Sequence, residues 1–438
     1  MRVNVNYDRG VIVPITQEQH QHTGIIADLL IPGRGNPIPN GSVIIEDASI
    51  KWMGQFDEMP SSYKSLNFIH VPVLMPGLWD AHVHYLAGHV LDNLGFSSRF
   101  YLPGSAALVG AIIVNDLRET LMAGFTSVRE LEGYAGDVRP AIEAGLISGP
   151  NVYSSIMILT TIGGHGDDHL LPLETVCCTS STIPKAVCTG PVECVRKVRE
   201  AVRRGAKVIK VCSSGGVLSY FDQPEEEQFS LEELRAIVEE AARLGVVVAA
   251  HAIGKGGIIS ALEAGVKTID HGYCLDLETA TLMKEKDAIL VPTRHIIETL
   301  ADTADQLPLV QRVKLERMLS QSRSSLRLAV REKVKISLGT DTFSSDQSSG
   351  ISHGKNAKEL YWATVAGMSN LEAIEACTAI SPETLGPKAP LSGQIKSGYD
   401  ADLIALSSNP LDDITILGMP EKVTHVWKGG KLVKSPSS

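Results

Sequence analysis

The chain has 438 residues, 44% of them hydrophobic and 21% charged, an ordinary globular composition with length for a large core and more than one domain. A formal net charge of -10, with no Lys/Arg block or basic stripe interleaved with aromatics, argues against nucleic acid as a partner. No run approaches the roughly 18 apolar residues of a membrane span, and MRVNVNYDRGVIVPITQEQH lacks the apolar core and cleavage site of a signal peptide, so a cytoplasmic protein without membrane association is expected.

Residues 1–75 read as short apolar strands separated by Gly, Pro and Asn turns, as in TGIIADLLIPGRGNPIPNGSVIIEDASIKWMG. Residues 391–438 share that texture. The two ends are therefore expected to pair into one small β-sandwich domain, discontinuous in sequence. The stretch VPVLMPGLWDAHVHY (71–85) then combines a branched apolar run, a Pro76-Gly77 turn, and His82 and His84. On a strand, residues two apart share a face, so both imidazoles aim at one point. That is half of a zinc or other divalent-metal site; the plainer reading is two unrelated polar residues past a strand.

Between residues 76 and 390, short strands alternate with amphipathic helices. A helix expected around Ala111–Gly124 leads to FTSVRE (125–130), and NVYSSIMIL (151–159) follows. Thr160–Gly190 is long and turn-rich, a length that usually marks a lid or binding loop. It carries Cys177, Cys178 and Cys188. The cysteine total is odd and forms no CxxC pair, which fits a reduced protein, although the 177–194 cluster can pair if oxidised. A helix near Val192–Arg204 precedes KVIKVC (207–212), and Ser230 with Glu233 three residues on opens another helix as a capping box. VVVAAH (246–251), TIDHG (268–272), AILVPT (288–293) and ISLGTD (336–341) complete eight strands, the arithmetic of an α/β fold of the (β/α)8 TIM-barrel type. A doubly wound open sheet is the alternative, but no glycine-rich dinucleotide turn supports it.

Barrel enzymes place their chemistry at the carboxyl ends of strands. His82 and His84 end the first strand, Lys210 lies near the end of KVIKVC, His251 ends VVVAAH, His271 ends TIDHG and Asp341 ends ISLGTD. Four histidines and an aspartate are too many ligands for one tetrahedral zinc and suit two divalent ions. Lys210 is the odd member. Two dications repel an ammonium, whereas a neutral amine can take up carbon dioxide and become a bridging carbamate. A lysine reaching for the barrel rim is the plainer alternative.

MPGLWDAHVH, TSVRELEGY, GPNVYSS, RRGAKVIKVCSSGG, HAIGKGGI, TIDHG and LGTD resemble the amidohydrolase superfamily, in its branch of imidazolonepropionase-like and Xaa-Pro-dipeptidase-like hydrolases. VPVLMPGLWD, APLSGQIKSGYDADLIAL and VTHVWKGGKL are similar to the fungal ochratoxinases of that branch. The resemblance runs from about Ile31 to Lys434. It implies that His82, His84 and Asp341 hold one zinc ion and that His251 and His271 hold a second. Carbamylated Lys210 would bridge the two. Asp341 would be the catalytic proton shuttle, base toward water and then acid toward the leaving amine. The implied substrate is a small-molecule amide joining an acyl group to an amino acid with a free carboxylate: ochratoxin-like amides, N-acyl amino acids or dipeptides. A homo-oligomer is also implied.

His165, in TTIGGHGDDH, is implied as a catalytic or substrate-binding group acting on the carboxylate or the developing oxyanion. Arg294 suits a bidentate clamp on the substrate carboxylate, with a surface ion pair as the alternative. His353, in the polar loop TFSSDQSSGISHGKN, is a further candidate for substrate contact. Ile253 stands where the relatives carry a second histidine, so the pocket differs there. Cyclic-amide hydrolysis or deamination, and a non-catalytic scaffold on the same barrel, are the rival readings.

Overall fold

The computed structural model describes residues 22–88, 106–179 and 183–436. The amino-terminal sequence read for targeting, and the start of the expected first domain, lie outside the described residues. Through the middle of the chain the strands run parallel. Leu78–Gly88 pairs with Phe125–Glu130, which pairs with Asn151–Ser154. The chain then turns at Ile156, whose φ of 68° is rare for a branched residue. It resumes as Ile158–Thr160, now beside Ile209–Cys212. The stretch 151–159, expected as one strand, is thus two short ones, the first at the edge of a four-stranded sheet and the second in a six-stranded one. Val248–Ala252, Thr268–His271 and Ile289–Val291 continue the parallel order.

ISLGTD bonds on both sides without being a regular strand along its length. Leu290 N–H donates to Lys335 O and Ser337 N–H to Leu290 O, each at 2.9 Å. On the other side Ala81 N–H reaches Leu338 O at 3.0 Å and Asp341 N–H reaches His82 O at 2.7 Å. Only Thr342–Ser344, just beyond, forms a strand beside Leu78–Gly88. The central strands IKVC, VAAHA, TIDH and ILV are buried at every position, as parallel strands covered on both faces must be.

The helices cover that sheet. Ala106–Met122 begins before the expected Ala111, and Pro191–Arg203 matches its expectation closely. Leu231–Arg243 opens on Ser230 with both bonds of the capping box formed, and buries Leu234, Ile237 and Ala241. Leu309–Arg331 buries Leu315, Met318, Leu326 and Ala329. Thr160–Gly190 is not structureless. It contains the helix Leu173–Thr179 and the strand Lys185–Val187, which adds in parallel beside Ile158–Thr160.

The two ends of the chain do pair. Lys431–Lys434, Val423–Lys428, Leu403–Leu406, Phe68–Pro76, His22–Leu30, Ile38–Glu46 and Ser49–Gln55 form, in that order, one seven-stranded sheet. Among the described residues all of these strands are hydrogen-bonded into one continuous sheet. Its edge folds back, with Ile50 N–H on Tyr399 O at 2.8 Å and Ala401 N–H on Ala48 O at 2.9 Å, around Ile25, Val43, Leu74, Leu403 and Trp427. Its other face, including Val73, Met75, Ile404 and Leu406, joins the main core. Phe68–Pro76 runs through Gly77 directly into Leu78–Gly88. A Cβ on Gly77 would lie 2.1 Å from the Thr126 side chain, so the join requires glycine. The small sheet thereby anchors the strand that carries His82 and His84.

All seven cysteines are free, and the buried Cys188 and Cys194 sulfurs lie 3.7 Å apart. Among the described residues no helix is long and apolar enough to cross a membrane.

Candidate metal centre

A cavity of about 390 Å³ opens at the carboxyl ends of the parallel strands, and His82, His84, Lys210, His251, His271 and Asp341 all line it. His84 Nε2 lies 2.9 Å from Asp341 Oδ1, and His82 Nε2 is 3.2 Å from His84 Nε2 and 3.5 Å from the same Asp341 oxygen. The His82 and His271 rings are 5.0 Å apart between centroids, and those of His271 and His251 4.5 Å. Ligand atoms of His82, His271 and Asp341 fall within 4.8 Å of one another. His271 (φ 75°) and Asp341 (φ 61°) both hold left-handed backbone conformations, a strain that side chains other than glycine accept mainly at functional positions.

The outward nitrogens determine what the inward ones offer. His84 Nδ1 faces the Glu132 carbonyl and His251 Nε2 faces the Gly215 carbonyl, each at 3.0 Å. A ring nitrogen against a carbonyl must carry the hydrogen, so in the neutral ring the other nitrogen keeps its lone pair. His271 Nδ1 bonds Thr293 Oγ1 at 2.7 Å. Burial holds His82 and His251 well below the usual imidazole range, helped by Lys210 at His82 and by His165 at His251. Burial takes His271 down to about 3 despite the opposing charge of Asp341. At His84 burial is outweighed by Asp341, which raises it; at Asp341 burial is outweighed by His84, which keeps the carboxylate low. Mostly neutral imidazoles and one carboxylate make a donor set suited to a divalent ion. His82 Nδ1 is buried without a hydrogen-bond partner, while Nε2 of that ring meets another imidazole. Nδ1 has only Asp270 Oδ2 at 3.8 Å, and at Nε2 two imidazole nitrogens and a carboxylate oxygen converge with no donor that satisfies all three, a set that a cation would fit.

Lys210 lines the same cavity, and its ammonium donates to Asp270 Oδ2 at 2.9 Å. Arg129 donates to Asp270 Oδ1 at 2.9 Å, and also to Ala81 O at 2.6 Å and Thr268 Oγ1 at 3.0 Å. Burial favours protonated Asp270, but Lys210 and Arg129 hold the carboxyl below its ordinary value. Sequence reasoning passed over both partners. The signal was a charge inside each of two apolar strands, FTSVRE and TIDHG, because such a buried charge needs a counter-charge on another strand.

His165 also lines the cavity, stacked on His251 with centroids 4.2 Å apart, its Nδ1 3.0 Å from Ser219 Oγ. A Cβ on Gly216 would lie 2.1 Å from that ring, so glycine allows this approach. Burial pulls His165 down to about 4. Ile253 joins Val217, Tyr273, Ile297 and Leu315 in an apolar wall.

Two expectations are corrected. Arg294 does not reach the cavity: it is buried at the start of the helix Arg294–Asp302, paired with Glu298, bonded to Ser322 and 5.9 Å over Trp362. Its charge is satisfied internally, so it is no clamp. His353 is likewise buried outside the lining, stacked on Tyr85 at 4.3 Å and 4.0 Å from Asp116. Its loop turns back beneath the first strand, where Asn356 Nδ2 donates to Asp80 Oδ2 at 2.7 Å. Lining residues not anticipated from the sequence include Lys185, Tyr273 and Phe343.

Parallel strands that deliver four imidazoles, a carboxylate and a lysine to one cavity define a class of hydrolase. Residues 73–433 match the Amidohydrolase family, and the chain belongs to it. It is 42% identical to the ochratoxinase of Aspergillus niger, over 99% of this chain and 91% of that protein. The crystal structure of A. niger ochratoxinase matches with a TM-score of 0.86 and 41% identity, over 96% of this chain and 97% of that one. A Xaa-Pro dipeptidase crystallised with methionine in its active site matches with a TM-score of 0.82 and 29% identity, over 95% of this chain and all (100%) of that one. The imidazolonepropionase of Clostridium tetani is 24% identical over 85% of each chain. The family resemblance read from the motifs is borne out.

Proposed function

We propose that this hydrolase cleaves the amide between an acyl group and an amino acid, on a (β/α)8 barrel of residues 76–390. Residues 1–75 and 391–438 would form its β-sandwich domain. The bonds on both sides of ISLGTD support a closed barrel, and the fold-back from Ile50 to Tyr399 around a separate core supports the sandwich. His82, His84 and Asp341 would hold one divalent ion, zinc by preference, and His251 and His271 a second. The observation that carries this reading is the approach of His82, His84 and Asp341 to within 3.5 Å of one another at the floor of one cavity.

When bound, such ions polarise a carbonyl and lower the pKa of water toward neutrality. Asp341, ionised at neutral pH, accepts the proton of the attacking water and passes it to the leaving nitrogen. Ser219 Oγ donates to Gly216 O at 3.2 Å, so the hydrogen of neutral His165 lies on Nδ1 toward Ser219, and its other ring nitrogen accepts a hydrogen bond from the substrate. The wall of Val217, Ile253, Ile297 and Leu315 excludes water and receives an apolar group. Carbamylation of Lys210, adding carbon dioxide to the amine with loss of a proton, would replace its ion pair with Asp270 and leave that carboxylate to Arg129.

The names of the relatives favour an exocyclic amide. Ochratoxinase stands at 42% identity and imidazolonepropionase, the cyclic-amide rival, at 24%. A homo-oligomer belongs to the same reading. The test is a screen of N-acyl amino acids, dipeptides, ochratoxin A and cyclic amides with zinc-loaded protein, with released amine measured and bound metal counted. Turnover of cyclic amides alone, or no bound metal, rejects the proposal.

A further inference from the structure

Besides the apolar wall, the cavity is lined by charged side chains. Lys185 opens the strand Lys185–Val187, inside a segment whose length alone had marked it as a loop. That strand exists because the third barrel strand is split. Ile158–Thr160 has an edge left open, and Lys185 takes the place opposite Ile158. Ile158 N–H donates to Pro184 O and Cys188 N–H to Thr160 O, each at 2.9 Å, fixing the register. Both Ile158 and Lys185 line the cavity, and Lys185 is half-buried there.

Two lysines line this cavity, Lys185 and Lys210. Lys210 is answered by Asp270 at 2.9 Å. Among the described residues, no carboxylate or hydrogen-bond acceptor answers Lys185. Asp167, which also lines the cavity, accepts from Gly163 N–H of its own loop at 2.9 Å. The Lys185 charge is also felt at His165, which lines the same cavity. A half-buried ammonium costs solvation free energy that a purely structural lysine recovers from an anion of the protein. An anion entering the cavity would supply that partner.

We propose that Lys185 binds the free carboxylate of the amino-acid half of the substrate and so sets the preference for amides of free amino acids. The role rests on the amide-hydrolase reading above, and it supplies the clamp that Arg294 cannot. Lys185, the ligand cluster and the apolar wall line one cavity, so an amide bond held over His82 and Asp341 has a cation for its carboxylate and Ile253 and Leu315 for its apolar group. A lysine, being a compact charge on a flexible stem, holds a carboxylate without demanding a bidentate geometry, which suits varied amino acids.

The experiment uses the full metal-loaded chain and the variants Lys185→Met and Lys185→Arg, each checked for metal content and melting temperature. N-benzoyl-phenylalanine is compared with its carboxamide, and binding of free phenylalanine is measured by calorimetry. The wild-type preference for the acid in kcat/KM, expected at ~100-fold or more, should fall below about fivefold in Lys185→Met. The change should lie mainly in KM, with most of the preference kept in Lys185→Arg. Phenylalanine binding should weaken at least ~30-fold in Lys185→Met. Equal losses on acid and carboxamide, unchanged phenylalanine binding, or no binding by the wild type would each overturn the role of Lys185. Phenylalanine bound through Lys185 without hydrolysis of either amide would reject the amide-hydrolase reading and leave the carboxylate site standing.

Discussion

Replacing Lys314 by methionine tests whether the loop behind His165 is organised by one buried cation. Lys314, on the helix Leu309–Arg331, is only 2% exposed. Its ammonium donates to Gly216 O at 2.8 Å, Ser219 O at 2.6 Å and Asp222 O at 3.0 Å, with Asp222 Oδ1 at 3.7 Å. The same loop places Ser219 Oγ 3.0 Å from His165 Nδ1. Asp222 accepts from Gly216 N–H and Gln228 Nε2, each at 3.1 Å, and Gln228 accepts from His165 N–H at 3.0 Å. Methionine keeps the apolar stem but leaves three carbonyls and a buried carboxylate without their cation. Breaking a buried pair by removing one partner costs about 3–5 kcal/mol. The loop borders an open cavity and can rewet, so about 2–4 kcal/mol of local destabilisation is expected. That corresponds to ~30- to ~800-fold faster hydrogen exchange of the amides in 216–223 if exchange proceeds by local opening. KM should rise more than kcat falls, because His165 loses its support while the metal ligands keep theirs. Exchange read by mass spectrometry on peptides spanning 213–229 decides it. Unchanged protection there, with an unshifted melting temperature, would refute the account.

Lys210→Ala should lose one or both bound metal ions, counted by elemental analysis, and added short carboxylates should partly restore activity; a variant with full metal and full activity excludes the bridging role. Asp341→Asn should lower kcat by ~1000-fold or more with KM little changed. A loss within about tenfold, roughly 1.4 kcal/mol of barrier, would leave Asp341 a ligand at most. Burial raises Asp116 from 3.8 to about 7, against the bond from Ser345. The folded state thus holds that proton more tightly than the unfolded chain. The group's contribution is fully present below about 4 and is lost as pH rises through about 7. Asp116→Asn mimics the protonated form and should gain ~1–3 kcal/mol on the wild type between pH 6 and pH 8.5. Melting temperatures with the same pH dependence in both proteins would contradict it.

Much of the site was legible in the sequence because its signals are local. His82 and His84 share a face through the period of a strand, and Lys210, His251, His271 and Asp341 each close an apolar run. The Ser230–Glu233 capping box needs only one helical turn. Other features required the order of strands in space. Asp270 meets Arg129 and Lys210 from strands far apart in sequence, so no spacing announces the triad. Arg294 follows the strand Ile289–Val291 by three residues, where a side chain can turn inward to the cavity or outward to the helices. The positive φ of Thr293 and the partners Glu298 and Ser322 turn it outward. His353 is held beneath the first strand by packing on Tyr85 that nothing in its own loop encodes. Lys185 reaches the cavity only because the chain bends at Ile156 and leaves Ile158–Thr160 an edge to be paired. Periodicity tells which residues share a face of one element. Which element that face meets is settled by burial and hydrogen-bond satisfaction summed over the whole chain, and only the tertiary structure carries that sum.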